Sequence, residues 1–376
     1  MNWVNCKLGE VLQLHYGKSL PERERTNGDI PVYGSGGIGS YHEKALVEGP
    51  GVIVGRKGTI GSVYFEKNAF FPIDTVYYVV PTKAKIELRF AYYLLNWLPL
   101  NSLNGDAAVP GLNRERALSL EISLPTINEQ KKIANILSTF DELIENNLRR
   151  IALLEESARL LYREWFVHFR FLGYEHTQFI DDVPEGWVKK TLNELTSFLK
   201  RGITPDYDDD AKCLAVNQKC IRDGRLNLML ARRQSKEVKH ERYLQFGDVL
   251  VNSTGEGTLG RVAQVKTHLN NCTVDTHVTI VRPKKEVGVH YFGQSIMEWE
   301  SRFTRMGKGS TNQTELSPAT IGETSILMPS NSLVERFELF ATPIYEQITN
   351  LVAQNEKLVS ARDLLLPRLM SGEITV

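Results

Sequence analysis

The sequence predicts a mixed α/β (α+β) fold written twice. Two tandem mixed α/β domains are separated by two long helices packed as an antiparallel coiled coil, a pseudo-two-fold repeat. Three observations predict it. Short markers recur in constant order in the two halves, two stretches carry a sustained heptad seam, and strand-like runs lie between Gly and Pro turns in each half.

The markers come first because a missed repeat mis-assigns the whole fold. Trp3-Val4 with Leu8 and Glu10 recurs as Trp187-Val188 with Leu192 and Glu194. GTIG at Gly58 to Gly61 recurs as GTLG at Gly257 to Gly260, and Asp74-Thr75 recurs as Asp275-Thr276. Leu112, Ile122 and Pro125 return as Leu316, Ile326 and Pro329. Chance similarities would not stay collinear. The predicted boundaries are 1–125 for the first domain, 126–172 for the first helix, 173–329 for the second domain and 330–376 for the second helix.

Helix starts are signalled by Thr126-x-x-Glu129 and Ser332-x-x-Glu335, both capping boxes. From the first, Ile133, Leu137, Phe140, Ile144, Asn147, Ile151, Leu154, Ala158, Leu161 and Trp165 follow a 4,3 spacing with one polar member. The helix spans about 40 residues, ~60 Å at ~1.5 Å per residue. In the second half Phe337, Ala341, Ile344, Ile348, Leu351, Asn355, Leu358, Leu365 and Leu369 repeat the seam, with Arg362 in the gap. Pro343 falls inside it and predicts a kink or a fresh helix start there. The strand-like runs are GVIVG, SVYFE and TVYYVV in the first half and DVLVNS, RVAQV and HVTIV in the second. Helical stretches near IELRFAYYLLNWL and VHYFGQSIMEWESRF follow them.

Composition narrows the function classes. A hydrophobic fraction of 42% and a charged fraction of 24% are those of a globular chain. No stretch approaches the ~20 apolar residues of a membrane span, and the N-terminus carries no export signal, so a cytoplasmic protein is expected. Four cysteines without C-x-x-C spacing signal neither a disulfide frame nor a structural metal. Forty-five basic side chains balance 45 acidic ones, which leaves only local basic patches for nucleic acid. Residues 219–242 form one such patch, with eight Lys/Arg against three acids, read first as a solvated face.

Catalytic motifs fail their context tests. PVYGSGGIG matches G-x-G-x-x-G through Gly34, Gly36 and Gly39, but SYHEKALVEGPG turns before a helix of useful length forms. GEGTLG at Gly255 to Gly260 is followed by strand-like RVAQV. MGKGST lacks the Ser or Thr that a P-loop needs after its lysine, and the acids of PDYDDDAK sit too close together for a nuclease site. Histidines such as His168 and His277 stand singly, so catalytic residues and metal ligands are both expected to be none.

What remains is a set of Gly-rich loops bearing donors suited to phosphates and base edges. The first half offers Arg56, Lys57, Thr59 and Ser62, together with Ser35 in the opening turn. The second offers Asn252, Ser253, Thr254, Thr258 and Arg261, and then Lys308, Ser310, Thr311, Asn312 and Gln313. Such loops are also ordinary turn composition, so a structural adaptor that binds protein partners stands as the second reading.

At this point the whole chain resembles the specificity subunit of type I restriction-modification systems. The residues that carry the resemblance are PVYGSGGIG, GVIVGRKGTIGSVYF and PIDTVYYV in the first domain and LPTINEQKKIANILSTFDELIE with LYREWFVHFRF in the first helical region. VPEGWVKKTLNEL and DVLVNSTGEGTLGRVA match in the second domain, and SARDLLLPRLMSGEI closes the second helical region. The resemblance implies a non-catalytic subunit whose two target recognition domains read a bipartite double-stranded DNA sequence, with the helices fixing the gap. It implies two methyltransferase subunits and two restriction subunits as partners. S-adenosylmethionine, ATP and Mg belong to those partners, and no cofactor is expected in this chain. The loops around Gly58 and Gly257 are then the DNA-contacting elements.

Overall fold

The computed structural model describes residues 3–82, 85–103, 111–307 and 314–376, in two compact units. One comprises Met1–Asn147 with Gln354–Val376, the other Leu148–Ala353.

The first unit contains β1 (Val4–Lys7), β2 (Leu12–Tyr16), β3 (Ile30–Gly34), β4 (Gly37–His42) and β5 (Gly51–Gly55). It continues with β6 (Val63–Glu66), β7 (Phe71–Pro72), β8 (Val76–Pro81), α1 (Leu88–Trp97) and β9 (Glu121–Leu124), before α2 (Ile127–Phe166) begins. Strands order as β2-β8-β5-β6 in an antiparallel sheet, β4-β3-β7 in a second, and β1-β9 as a pair. Gly51–Gly55 is buried along its whole length because β8 and β6 flank it and both faces are covered, which is why GVIVG shows no polar alternation.

The second unit contains β10 (Val188–Thr191), β11 (Thr196–Arg201), β12 (Cys213–Val216), β13 (Arg232–Gln234) and β14 (Val249–Asn252). After these come β15 (Val262–Gln264), β16 (Cys272–Val274), β17 (Val278–Pro283), α3 (Val289–Met297), β18 (Ser325–Met328) and α4 (Asn331–Met370). Its sheets order as β11-β17-β14-β15, β13-β12-β16 and β10-β18. Each of these strands has a counterpart in the first unit at the same place in the same sheet, down to the parallel pairing of β3 with β7 and of β12 with β16, while the short hairpins Phe179–Ile180 with Val183–Pro184 and Ile221–Arg222 with Arg225–Leu226 have none among the described residues. The connection after β3 differs most. Ser35 and Gly36 alone join β3 to β4, whereas residues 217–231 lie between β12 and β13.

Both long helices run 40 residues. Every seam residue anticipated from the 4,3 spacing is buried or half-buried. In the first unit Asp141 pairs with Arg362 and Asn147 with Asn355; in the second Tyr162 and Trp165 pack on Phe337, so α2 and α4 are antiparallel in each. The Thr126 capping box forms, with Glu129 accepting from the Thr126 N–H at 3.0 Å. Ser332, by contrast, lies inside the first turn of α4 and does not cap it. Of the kink or fresh start expected at Pro343, the fresh start does not occur. Pro343 is on the exposed side of an uninterrupted α4, where the carbonyl it leaves unpaired, that of Leu339, belongs to a residue 75% exposed to water.

Asn147 Nδ2 donates to Asn355 Oδ1 at 2.9 Å within the seam, and both side chains are buried. Asn355→Leu strands one amide among apolar neighbours and is expected to cost about 1–3 kcal/mol in urea unfolding. Joining it with Asn147→Leu should restore stability or exceed it, since an apolar pair then replaces two buried amides. A double variant no more stable than the single one would contradict this.

Candidate nucleic-acid interface

In the first unit the loop from Arg56 to Ser62 joins β5 to β6. Gly58 and Gly61 hold it at φ of +77° and +73°, a region that disfavours side chains. A Cβ at Gly61 would also stand 2.7 Å from the Asn101 nitrogen. Main-chain bonds fix both ends: Gly55 N donates to Ser62 O, Arg56 N to Thr75 O, and Leu112 N to Arg56 O. The Ser62 hydroxyl donates to Ser35 O at 2.7 Å and Tyr64 Oη to the same oxygen at 3.1 Å, so the β3–β4 turn and the loop are one braced surface. Lys57 and Thr59 are exposed, while Arg56, Ser35 and Ser62 are half-buried.

Arg56 Nη1 donates to Asp74 O, and its guanidinium lies 4.9 Å from the ring centre of Tyr16. Arg114 lies 5.3 Å from that ring, and Tyr16 stays 49% exposed. Two cations on one exposed aromatic make a surface suited to phosphate and base. Tyr16 and Arg114 escape a reading of the sequence because no linear motif joins residues so far apart; only the β2–β8 register and the bond from Leu112 to Arg56 bring them to the loop.

The second unit repeats the scaffold with other side chains. Gly257 and Gly260, counterparts of Gly58 and Gly61, have φ of +67° and +79°, and a Cβ at Gly260 would stand 2.4 Å from the Thr304 nitrogen. Ser253 N donates to His277 O and Leu316 N to Ser253 O, so Ser253 holds the main-chain place that Arg56 holds in the first unit. Thr254 Oγ1 is 2.6 Å from His277 Nδ1, and Arg261 Nη2 donates to Gly257 O at 2.8 Å. Thr254, Thr258 and Arg261 reach the surface.

Asn252 and Ser253, expected as DNA donors, are corrected: both are fully buried. Asn252 ends β14, and its Nδ2 donates to Gln218 O and Thr258 O, while Ser253 Oγ shares a hydrogen with Thr279 Oγ1 at 2.6 Å. They brace the loop from below. Lys308, Ser310, Thr311, Asn312 and Gln313 lie outside the described residues. Ser35 and Gly36 of the first G-x-G-x-x-G match form the tight turn of the β3–β4 hairpin, and its last glycine, Gly39, lies in β4 and opens no helix. Among the described residues no three His, Cys, Asp or Glu side chains gather as metal ligands.

A cleft of about 570 Å³ in the second unit is lined by Phe246, Lys266, His268, His290 and Tyr345 among others. His290 is buried and stacks on Tyr345 with ring centres 4.2 Å apart; burial, helped by Lys266, pushes its imidazole down to about 4. The unfolded chain binds this proton near ~6.5 while the folded chain refuses it, so stability is full above ~6.5 and falls as the pH drops toward 4. His290→Phe should remove about 2–3 kcal/mol of the loss seen between pH 7 and pH 4.5 in urea titrations. An unchanged acid slope would show that His290 titrates normally.

A family model described as the type I restriction modification DNA specificity domain matches residues 1–156. The type I restriction enzyme MjaIX specificity subunit of Methanocaldococcus jannaschii is 26% identical over 98% of this chain and 92% of its own length. The HindI specificity subunit of Haemophilus influenzae is 22% identical over 81% of each. In fold, the chain is similar to the crystal structure of a type I restriction-modification S subunit from M. genitalium, with a TM-score of 0.64, 18% identity and coverage of 98% and 96%.

Proposed function

Since the chain belongs to the family of type I restriction-modification specificity subunits, we infer that each of its two domains reads one half of a bipartite DNA target. One observation carries this reading: the same glycine-held loop recurs at the same place on a duplicated scaffold, but presents Arg56, Lys57 and Thr59 in one copy and Thr254, Thr258 and Arg261 in the other. One architecture with two sets of donors is what an asymmetric target requires. The subunit is itself non-catalytic. Methyl transfer and cleavage fall to two methyltransferase and two restriction subunits, which bring S-adenosylmethionine, ATP and Mg, and the assembly works in the cytoplasm. No helix among the described residues is long and apolar enough to cross a membrane.

The helices α2 and α4 supply the docking surface for the methyltransferase subunits. In the second unit Leu153 and Leu160 of α2 are 66% and 48% exposed, and Leu339 and Phe340 of α4 are exposed as well. Apolar side chains left outside a seam call for a covering partner. Leu153→Glu with Leu160→Glu should leave the fold within about 0.5 kcal/mol of wild type but reduce co-purification of the methyltransferase subunit at least ~10-fold. Undiminished co-purification would place docking elsewhere.

The DNA reading is tested by competition. The assembled complex should hold a labelled target duplex against a large excess of scrambled duplex at fixed salt, since only the base-reading part of affinity distinguishes them. Equal displacement by both duplexes would favour a protein adaptor.

A further inference from the structure

We propose that residues 217–231 of the second unit carry an apolar wedge, Met229, that enters the base stack beside the half-site this unit reads. The proposal rests on the DNA-reading assignment above. This excursion stands where the first unit has only Ser35 and Gly36, and it touches the same loop: Gln218 O accepts from Asn252 Nδ2, and a Cβ added at Gly255 would stand 3.4 Å from Gln218 Cγ. Its base is thus tied to the underside of the loop that carries Thr254, Thr258 and Arg261.

The excursion is rigid. Cys220 and Ile221 are fully buried, Ile221 and Arg222 pair with Leu226 and Arg225, and Asn227 N donates to Cys220 O. Its tip is the short turn Leu228–Leu230, held by Asn227 Oδ1, which accepts from Met229 N at 3.0 Å, and by Asn217 Nδ2, which donates to Leu230 O at 3.1 Å. On this braced tip Met229 is 91% exposed, more than any other large apolar side chain among the described residues. A flexible loop would fold such a side chain back; this one is built to hold it out.

Charge selects the occupant. Residues 217–234 hold Lys219, Arg222, Arg225, Arg232 and Arg233 against Asp223 alone. Arg225 is taken by Glu155; Arg222, Arg232 and Arg233 have local partners in Asp223, the Tyr207 ring and Ala211 O, yet all three stay exposed, the Arg222 side chain to 75%. An apolar tip flanked by arginines matches a duplex, whose phosphates lie on either side of a base step that an apolar side chain can unstack. Protein interfaces also enrich methionine and arginine, so loss of a protein subunit is the competing outcome in the test below. Methionine, slender and polarizable, suits insertion between bases.

The test uses the complex assembled with its methyltransferase subunits on target duplexes carrying 2-aminopurine at successive positions of both half-sites, read at saturating protein. Flipping of the adenine to be methylated brightens its own position and serves as an internal control that does not depend on Met229. The expected result is a further position, on the side read by the second unit, that brightens at least ~2-fold with wild type and with Met229→Leu but stays dark with Met229→Ser. The proposal is overturned if no further position brightens while the target is bound, if Met229→Ser brightens it equally, or if Met229→Ser sheds a protein subunit without changing DNA binding. A wild-type complex that does not prefer its target over scrambled DNA would overturn the reading beneath it as well, and is distinguished by that lost preference.

Discussion

A chain carrying Arg56→Ala together with Arg261→Ala is expected to lose roughly 10²- to 10⁴-fold in specific affinity, each single change giving about 10- to 100-fold. Each arginine spends one donor on bracing its own loop, Arg56 on Asp74 O and Arg261 on Gly257 O, and a guanidinium has five. Because the two share no partner and belong to separate units, the losses should add as free energies. Each single variant should also relax discrimination in one half-site and leave the other intact. Lysine should not rescue either position, since a bidentate or stacked guanidinium has no ammonium equivalent. Binding of the assembled complexes to duplexes mutated in one half or the other, at constant salt, checks all of this. Full affinity in the double variant would remove both loops from the interface.

The second large effect is on stability. Asp248→Ala should cost the second unit about 3–5 kcal/mol, a large part of what a domain of this kind has. Asp248 is wholly buried, and Arg282 meets it with two hydrogen bonds, Nε to Oδ1 at 2.7 Å and Nη2 to Oδ2 at 2.9 Å. Arg282 also donates to Glu241 O and Tyr243 O, and the carboxylate accepts from Gln245 N, so one ion pair ties the start of β14 to β17 and to the chain leading in. Alanine leaves the guanidinium, on a side chain only 12% exposed, without a counter-charge. Asp248→Leu with Arg282→Met should recover most of the loss, because the penalty lies in the unpaired charge and not in the absence of a salt bridge. Urea unfolding of the three chains separates these cases; a single variant within 1 kcal/mol of wild type would mean that water reaches Arg282.

The difference between what the sequence reveals and what it hides follows from the range of each interaction. The heptad seam and the Thr126 capping box depend on residues three or four apart, and both were legible. The repeat was legible because its glycines answer to local backbone demands, seen at Gly58 and Gly257 and again at Gly61 and Gly260. Asn252 and Ser253 were misread because residue type names a donor but not its direction; at the end of β14 both turn inward. Tyr16 and Arg114 were missed because their cluster with Arg56 exists only after three distant segments meet. The basic run 219–242 looked like a solvated face, and the cap and strand bonds that hold Met229 outward are invisible in its composition.

This chain selects the DNA sequence on which its partners act, as its family membership and its two donor loops support. Single-molecule mapping of N6-methyladenine in cells expressing a methyltransferase subunit that co-purifies with this chain, with and without the chain, tests this selection. A bipartite motif, two specific halves around an unread gap, should appear only when the chain is present. The same methylation pattern in its absence would leave the repeated domains as protein-binding modules that read no DNA.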